Sequence, residues 1–308
     1  MVMLLFILSV STVSANSDFV NETLSVDNSF LDMNYIQNFD DTNYTGSFDD
    51  LQNVINNASD NSIIYLDKDY NGCENSKIVL NKNLIIDGQG HTIDCLKKKN
   101  CFVFYSDNGQ ITLKNLVITN CRNYYSDFGG TIFISGCAQY CIENCTFMNN
   151  WVDGFGGAIY NDAVNPLSIV DSRFINNRIV DEGFGGAIYF KSIVDVKDSV
   201  FDSNLAYDGG GAIYCENDVN IMGCLFEKNS CSCMDSYGGA INSVTVSVSN
   251  SIFRNNRAIK DGGAIYSNQM KTDSGSSFEN NQAVNGDGGA IYAKYDSNII
   301  HHLLIMKR

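Results

Sequence analysis

The chain has 308 residues, with 20 Lys and Arg against 35 Asp and Glu, a formal net charge of −15, 26 glycines and one proline. That acidic balance argues against nucleic acid and against anionic membrane surfaces as partners. The near absence of proline suits a chain made of strands, whose ladders lose a donor at every proline.

In chain order, MVMLLFILSVSTVSA (1–15) opens on an apolar run from Met3 to Val10, then Val13-Ser14-Ala15 in a small-x-small cleavage pattern. It predicts a secretory signal peptide, although no Lys or Arg precedes the run. The run is too short to span a bilayer, and no other segment is long enough. Residues 16–46 are polar and acidic and read as a flexible leader. At SFDDLQNVINNAS the period changes. Ser47 with Asp50 resembles a capping box, and Leu51, Val54, Ile55 and Ala58 form one stripe, so a short amphipathic helix is expected within 47–62. IIYL (63–66), LIIDGQGHTID (84–94) and 111–118 then read as short strands with Gly-rich corners.

Beyond residue 117 two phrases alternate. Gly-Gly-small-Ile-aromatic or Asn starts at Gly129, Gly156, Gly185, Gly210, Gly238, Gly262 and Gly288, with steps of 24 to 29 residues. Phe-x-x-Asn falls between: Phe147/Asn150, Phe174/Asn177, Phe201/Asn204, Phe226/Asn229, Phe253/Asn256 and Phe278/Asn281. Apolar pairs such as Leu167/Ile169, Val194/Val196, Val219/Ile221 and Val246/Val248 precede each Phe. A bend residue and then a small one (Cys145, Ser172, Ser199, Cys224, Ser251, Ser276) lie between. No unit carries a helical period. Short alternating strands with bends, at this period, fit one coil of a parallel β-helix, and the period is too short for a propeller blade. Like residues should therefore stack about 4.8 Å apart. Phe and Ile are expected inside, Asn amides bonded from coil to coil, and Tyr160, Tyr189, Tyr214, Tyr266 and Tyr292 on a wet face because of their hydroxyls. The helix at 47–62 would cover the open first coil, as solenoids require. The repeats are placed over 63–298. Residues 299–308 (IIHHLLIMKR) break the grammar and are expected to be an irregular, truncated end, the alternative being that 299–305 is an apolar strand or helix acting as its own cap.

The 11 cysteines read as disulfides with one thiol left over, the connectivity being open. The spacing of Cys137, Cys141 and Cys145 hints at a metal cluster. Against that, Cys145 and Cys224 occupy the small core position. Cys231 and Cys233 are expected to bridge to a neighbouring coil. Asp127, Asp153, Asp181, Asp208, Asp235, Asp261 and Asp287 each precede a diglycine. Stacked coils would set them along one edge, either as solvated loop acids or as a ladder of calcium sites. Asp87, His91 and Asp94 are the best catalytic candidates, yet Asp-Gly at a corner is ordinary turn chemistry. Arg178 and Arg257 follow Asn corners in equivalent places, which reads as repeat decoration. Asn21, Asn43, Asn57 and Asn144 head glycosylation sequons.

The alternation of GGA(I/L/V) with FxxN resembles the repeat of chlamydial polymorphic outer-membrane proteins. With DLQNVINNAS…IIYLDKDY (51–70) and LIIDGQGHTID (84–94), the chain is also similar to the adhesin-like surface proteins of methanogenic archaea. The resemblance covers about residues 47–292. It implies an all-β, right-handed parallel β-helix exported to the cell surface, with a role in attachment. The expectation is a non-catalytic monomer with no cofactor or metal, secreted or on the cell surface, meeting extracellular glycan or protein partners. The alternatives are a β-helix polysaccharide lyase or glycoside hydrolase, and a structural envelope spacer.

Overall fold

The computed structural model describes residues 45–72, 77–97, 102–107, 109–123, 130–272, 275–295, 298–299 and 305–307. The expected signal peptide, the expected leader up to residue 44, Asn21, Asn43, Cys73, Cys101, Asp127, Gly129 and the two C-terminal histidines lie outside these residues.

The strands form three parallel sheets: one of 11 strands, one of 7 and one of 16. The first carries the Phe column, from Gly46–Ser47 to Ile305–Lys307, where Met306 takes the register of Phe278. The second, the corner sheet, runs from Arg122–Asn123 to Gln282–Ala283. The third, the long sheet, unites the Gly-Gly strands with the apolar pairs. They merge because the link between them shortens. Six residues separate Tyr160 from Leu167, but only four separate Tyr214 from Val219, so Ile213–Met222 is continuous.

Coil stacks on coil in register. Ile159, Ile188, Ile213, Ile241, Ile265 and Ile291 are successive partners. The diglycines make one line: Gly157 N–H donates to Gly185 O at 3.3 Å, Gly186 to Gly210 at 3.1 Å, Gly211 to Gly238 at 3.2 Å, and so on to Gly288. Gly210 has φ +60°, and a Cβ on Gly211 would sit 2.0 Å from the Gly239 carbonyl oxygen. The first position therefore needs the left-handed region and the second needs the bare backbone.

Inside, six phenylalanines stack with centroid spacings of 5.0, 4.7, 4.7, 4.7 and 4.9 Å from Phe147 to Phe278. Beside them runs the Asn ladder. Each Nδ2 donates to the next Oδ1, at 2.9 Å for Asn150–Asn177 and 3.0 Å for Asn177–Asn204. The same oxygen accepts the backbone N–H of the residue below, which satisfies a buried corner with no strand partner. The small residue before each Phe has a second use. Ser172 N–H donates to Ser199 Oγ, and Cys224 N–H to Ser251 Oγ, both at 3.0 Å, so this column passes hydrogen bonds as well as leaving room for the ring.

A helix over Phe48–Asn57 closes the first coil. The capping box is present, with Asp50 N–H donating to Ser47 Oγ at 3.1 Å and Ser47 N–H to Asp50 Oδ2 at 2.8 Å. The buried face is Phe48, Leu51 and Ile55; Val54, expected in the stripe, is 45% exposed. Phe48 fills that role because residues 48, 51 and 55 share one helical face. Gln52 reaches the edge strand Ile78–Leu80, its Oε1 accepting from Val79 N–H at 2.6 Å and its Nε2 donating to Val79 O at 3.2 Å. Lys82 Nζ donates to the carbonyls of Ile55, Asn56 and Ala58 at 3.1, 2.8 and 2.8 Å, closing the helix's negative end.

Two of the five tyrosines differ from expectation, while Tyr214, Tyr266 and Tyr292 are half-buried. Tyr160 is only 3% exposed and Tyr189 8%. They point out of the tube but lie under the loops that precede each diglycine. Phe155 and Phe184 pack on them, with centroids 4.8 Å apart for Phe155–Tyr189 and 4.5 Å for Phe184–Tyr214. The Phe of FGGAIY thus roofs the Tyr column. The Tyr189 hydroxyl donates to the Glu216 carboxylate, and burial together with that acid pushes the phenol well above its ordinary range.

Candidate functional site

The outward positions of the apolar-pair strands form an open, grooved surface. Leu167–Val170, Val194–Lys197 and Ile213–Met222 pair in register with Ile241–Ser249 and Ile265–Thr272. In each strand alternate side chains fill the core, so the others must face out. One outward row is Ser168, Asp195, Asn220, Ser247 and Lys271; the next is Val170, Lys197, Met222 and Ser249. These rows line a groove of about 660 Å³ running along the stack. Asn220 Nδ2 donates to Asp195 Oδ1 at 2.7 Å, which fixes both heads. Met222 is 50% exposed in the groove wall. The lining offers hydroxyls, an amide, both signs of charge and a thioether. It contains a single carboxylate, Asp195, whereas glycoside hydrolysis uses a facing pair.

These residues were not singled out in the sequence. The signal was there: Val194-Asp-Val-Lys alternates, so its polar members must face away from the core. A lysine or aspartate there reads as ordinary solvated decoration until the register stacks it with its neighbours.

The structure does not assemble the catalytic candidates. Asp87 is buried at the bend after Leu84–Asp87, where it accepts from Asn115 Nδ2 at 2.9 Å and Gln89 N–H at 3.1 Å and pairs with Lys114 at 3.4 Å. Burial raises its pKa, but these hydrogen bonds outweigh burial and hold it below the usual carboxylate value. His91 Nδ1 instead meets Asp69 at 3.1 Å, and Asp94 accepts from Leu96 N–H and from Asn120. Asp87 and His91 flank the same turn, Asp94 serves the next corner, and no two of the three are bonded to each other among the described residues.

The acids before the diglycines are also used singly. Asp208 accepts from Gly183 N–H at 2.9 Å, Asp261 from Asp287 N–H at 2.7 Å, and Asp235 pairs with Lys260 at 3.1 Å. Burial and the nearby charge of Asp181 raise the Asp153 pKa. Among the described residues no three His, Cys, Asp or Glu side chains converge as a metal site.

The cysteines need correction. Among the described residues there is one disulfide, Cys95–Cys121, joining neighbouring coils. Cys137, Cys141, Cys145, Cys215, Cys224, Cys231 and Cys233 are free thiols, so Cys231 and Cys233 are not bridged. Cys231 faces inward in the corner sheet with Val152, Ile179 and Ala206, and burial pushes its thiol far up. Cys145 and Cys224 are buried in the serine column, away from exposed Cys137, so the 137/141/145 spacing does not gather a cluster.

Comparison with known proteins agrees with this geometry. The profile of the right-handed beta helix region matches residues 99–283, and that of the Chlamydia polymorphic membrane protein repeat matches residues 275–294. The chain is similar to a probable autotransporter, YfaL, of Escherichia coli K12, 34% identical over 148 residues, covering 46% of this chain and 11% of that protein. It is similar also to metabotropic glutamate receptor-like protein R of Dictyostelium discoideum, 29% identical over 152 residues, covering 41% of this chain and 9% of that protein. The chain thus matches about a tenth of the length of these relatives. No solved structure matches. Among the described residues no helix is long and apolar enough to cross a membrane. With more than half of its residues inside the matched region, and with every coil stacked in parallel register, the chain belongs to the right-handed β-helix family.

Proposed function

We propose that this chain is a surface or secreted attachment protein that binds extracellular glycan or protein partners without performing chemistry on them. The observation that carries this reading is the groove: it crosses five consecutive coils, is open to solvent, and is lined by groups suited to holding an extended chain. Its one carboxylate is engaged by Asn220, so the lining has no free acid–base pair. The likeness to an autotransporter and to a membrane-protein repeat supports a place at the cell surface or outside the cell.

The test is binding of the purified chain to a glycan array and to whole cells, beside Lys197→Glu. Lys197 lines the groove on the second of its five coils, so the charge reversal is expected to reduce retention severalfold while leaving the fold intact. A reducing-sugar and unsaturated-uronate assay on a polysaccharide panel is expected to show no turnover. Turnover abolished by His91→Ala would overturn the non-catalytic reading.

A further inference from the structure

The bend between strands Gln139–Glu143 and Thr146–Met148 holds the sequence Asn144-Cys145-Thr146. Asn144 is exposed and has φ +48°, a left-handed value that asparagine tolerates. Cys145 is buried, and its N–H donates to Ser172 Oγ at 3.1 Å. Thr146 opens the next strand beside inward Phe147, so alternation turns it outward. The two residues that define an N-glycosylation sequon are therefore on the outside, and the middle one, which can be any residue but proline, is inside. Asn144 Nδ2 donates to Asn115 Oδ1 at 2.8 Å, and Asn115 Nδ2 donates to Asp87 Oδ1 at 2.9 Å. A side-chain amide nitrogen carries two hydrogens. This surface ladder holds one of those on Asn144, and the other has no acceptor among the described residues. Beside the amide the surface is hollow. Asn144 and Thr146 line a depression of about 450 Å³ with Gln89, Gly90, Asn115 and Val117. Gly90 leaves it open, since a Cβ there would meet no atom within 4 Å.

We propose that Asn144 is an N-glycosylation site whose first sugar lies in this depression, which rests on the reading of the chain as secreted or on the cell surface. Glycans on Asn-x-Ser/Thr are bulky and need a surface position. The sugar comes from an oligosaccharide carried on a pyrophosphate donor. Asn144 Nδ2 forms a bond to C1 of the first sugar, the bond from C1 to the donor's oxygen breaks, and the pyrophosphate leaves with that electron pair. One amide proton passes to a base of the transferase. The amide hydrogen that remains keeps Asn115 as its acceptor, so the surface ladder survives the modification. Transfer precedes folding of this bend, because in the folded chain the Cys145 and Thr146 N–H groups are engaged by Ser172 Oγ at 3.1 Å and Leu116 O at 2.8 Å. The folded bend then has only to accommodate the product. The open depression takes the first ring, with half-buried Val117 against its face and the exposed Gln89 amide for its hydroxyls.

In the experiment the full chain is translated beside membrane vesicles that hold the transferase and donor, once with its own N-terminus and once behind an established secretory leader. Protease protection reports entry into the vesicles. Tryptic peptide 123–173, in which Asn144 heads the single sequon, reports modification. In chains that enter, the expected result is a glycan on that peptide, with Asn144 read as Asp after an amidase removes it. Thr146→Val should abolish the glycan and Thr146→Ser should retain it, since transfer requires the hydroxyl two residues on. Heated with protease, the glycosylated chain should resist cleavage to the same temperature as chain from donor-depleted vesicles, or higher, because the fold has room for the sugar. An unmodified peptide 123–173 in protected chains, modification undiminished by Thr146→Val, or a glycosylated chain that loses resistance at a lower temperature would each overturn the assignment. If only the leader-bearing chain enters the vesicles, the reading of the chain as exported falls, while the peptide from that chain still decides the site.

Discussion

Asn204→Ala tests how the corners are held. Asn204 is fully buried in the middle of the Asn ladder. Its Oδ1 accepts from both the N–H and the Nδ2 of Asn177 at 3.0 Å, and its Nδ2 donates to Asn229 Oδ1 and Phe174 O at 2.9 Å. Alanine keeps the Asn204 N–H bond to Asn229 but removes the acceptor above. Two buried hydrogens of Asn177, its backbone N–H and one on Nδ2, then lose their acceptor, while the second Nδ2 hydrogen keeps Phe147 O at 3.0 Å. Each costs about 1–3 kcal/mol, so the loss is about 2–6 kcal/mol in all. Asn220→Ala is the control, because its amide bonds only to Asp195 at the surface, and it should stay within about 0.5 kcal/mol. Urea unfolding followed by circular dichroism gives the two stabilities, and hydrogen exchange at the Asn177 amide gives the local effect. A loss for Asn204→Ala no larger than that for Asn220→Ala would refute the ladder as a source of stability.

Three further outcomes follow from named contacts. Removing the edge cover with Gln52→Ala and Lys82→Met should cost about 1–3 kcal/mol together and speed exchange in Phe48–Asn57 and Ile78–Leu80, with little change in the coils beyond residue 140. Asp87 has a lowered pKa in the folded chain, so its contribution is full above the unfolded carboxylate value of about 3.9 and is lost as pH falls through the folded value; Asp87→Asn should flatten the acid limb of a stability–pH curve. Alkylation of the native protein at neutral pH should label exposed Cys137 well before Cys145, Cys215 and Cys224, whose thiols burial pushes up to about 12, 12 and 11, and peptide mapping reads the order.

The stack itself was legible because its physics is repetitive. A column of Phe147 to Phe278 or of Asn150 to Asn281 can be read from one line of letters, since each coil must repeat what its neighbour needs. The groove was harder. Ser168, Asp195 and Lys271 differ in type, and only the register shows that they adjoin. Arg178 and Arg257 were legible as equivalent positions, and the corner sheet places both in one register row. Tyr160 and Tyr189 are covered because outward-pointing is not the same as wet: Phe155 and Phe184, three positions before the buried Ala158 and Ala187, fold back over that part of the column. Cysteine pairing was misjudged because spacing in sequence says nothing about which face of a coil a thiol occupies. Cys231 points inward in a column otherwise filled by Val, Ile and Ala, where no partner sulfur lies.

The stacking of coils along one axis is tested most directly by distances between spin labels on the outer row of the groove. Labels are placed at Ser168→Cys with Lys271→Cys, and at Asp195→Cys with Lys271→Cys, in a background carrying Cys137→Ser, Cys141→Ser and Cys233→Ser. The register puts four coil steps between the first pair and three between the second. At about 4.8 Å per step the backbone separations are about 19 Å and about 14 Å. Two narrow distributions differing by about one step are the predicted result, and equal distances, or a first pair nearer than the second, would contradict the stacked architecture.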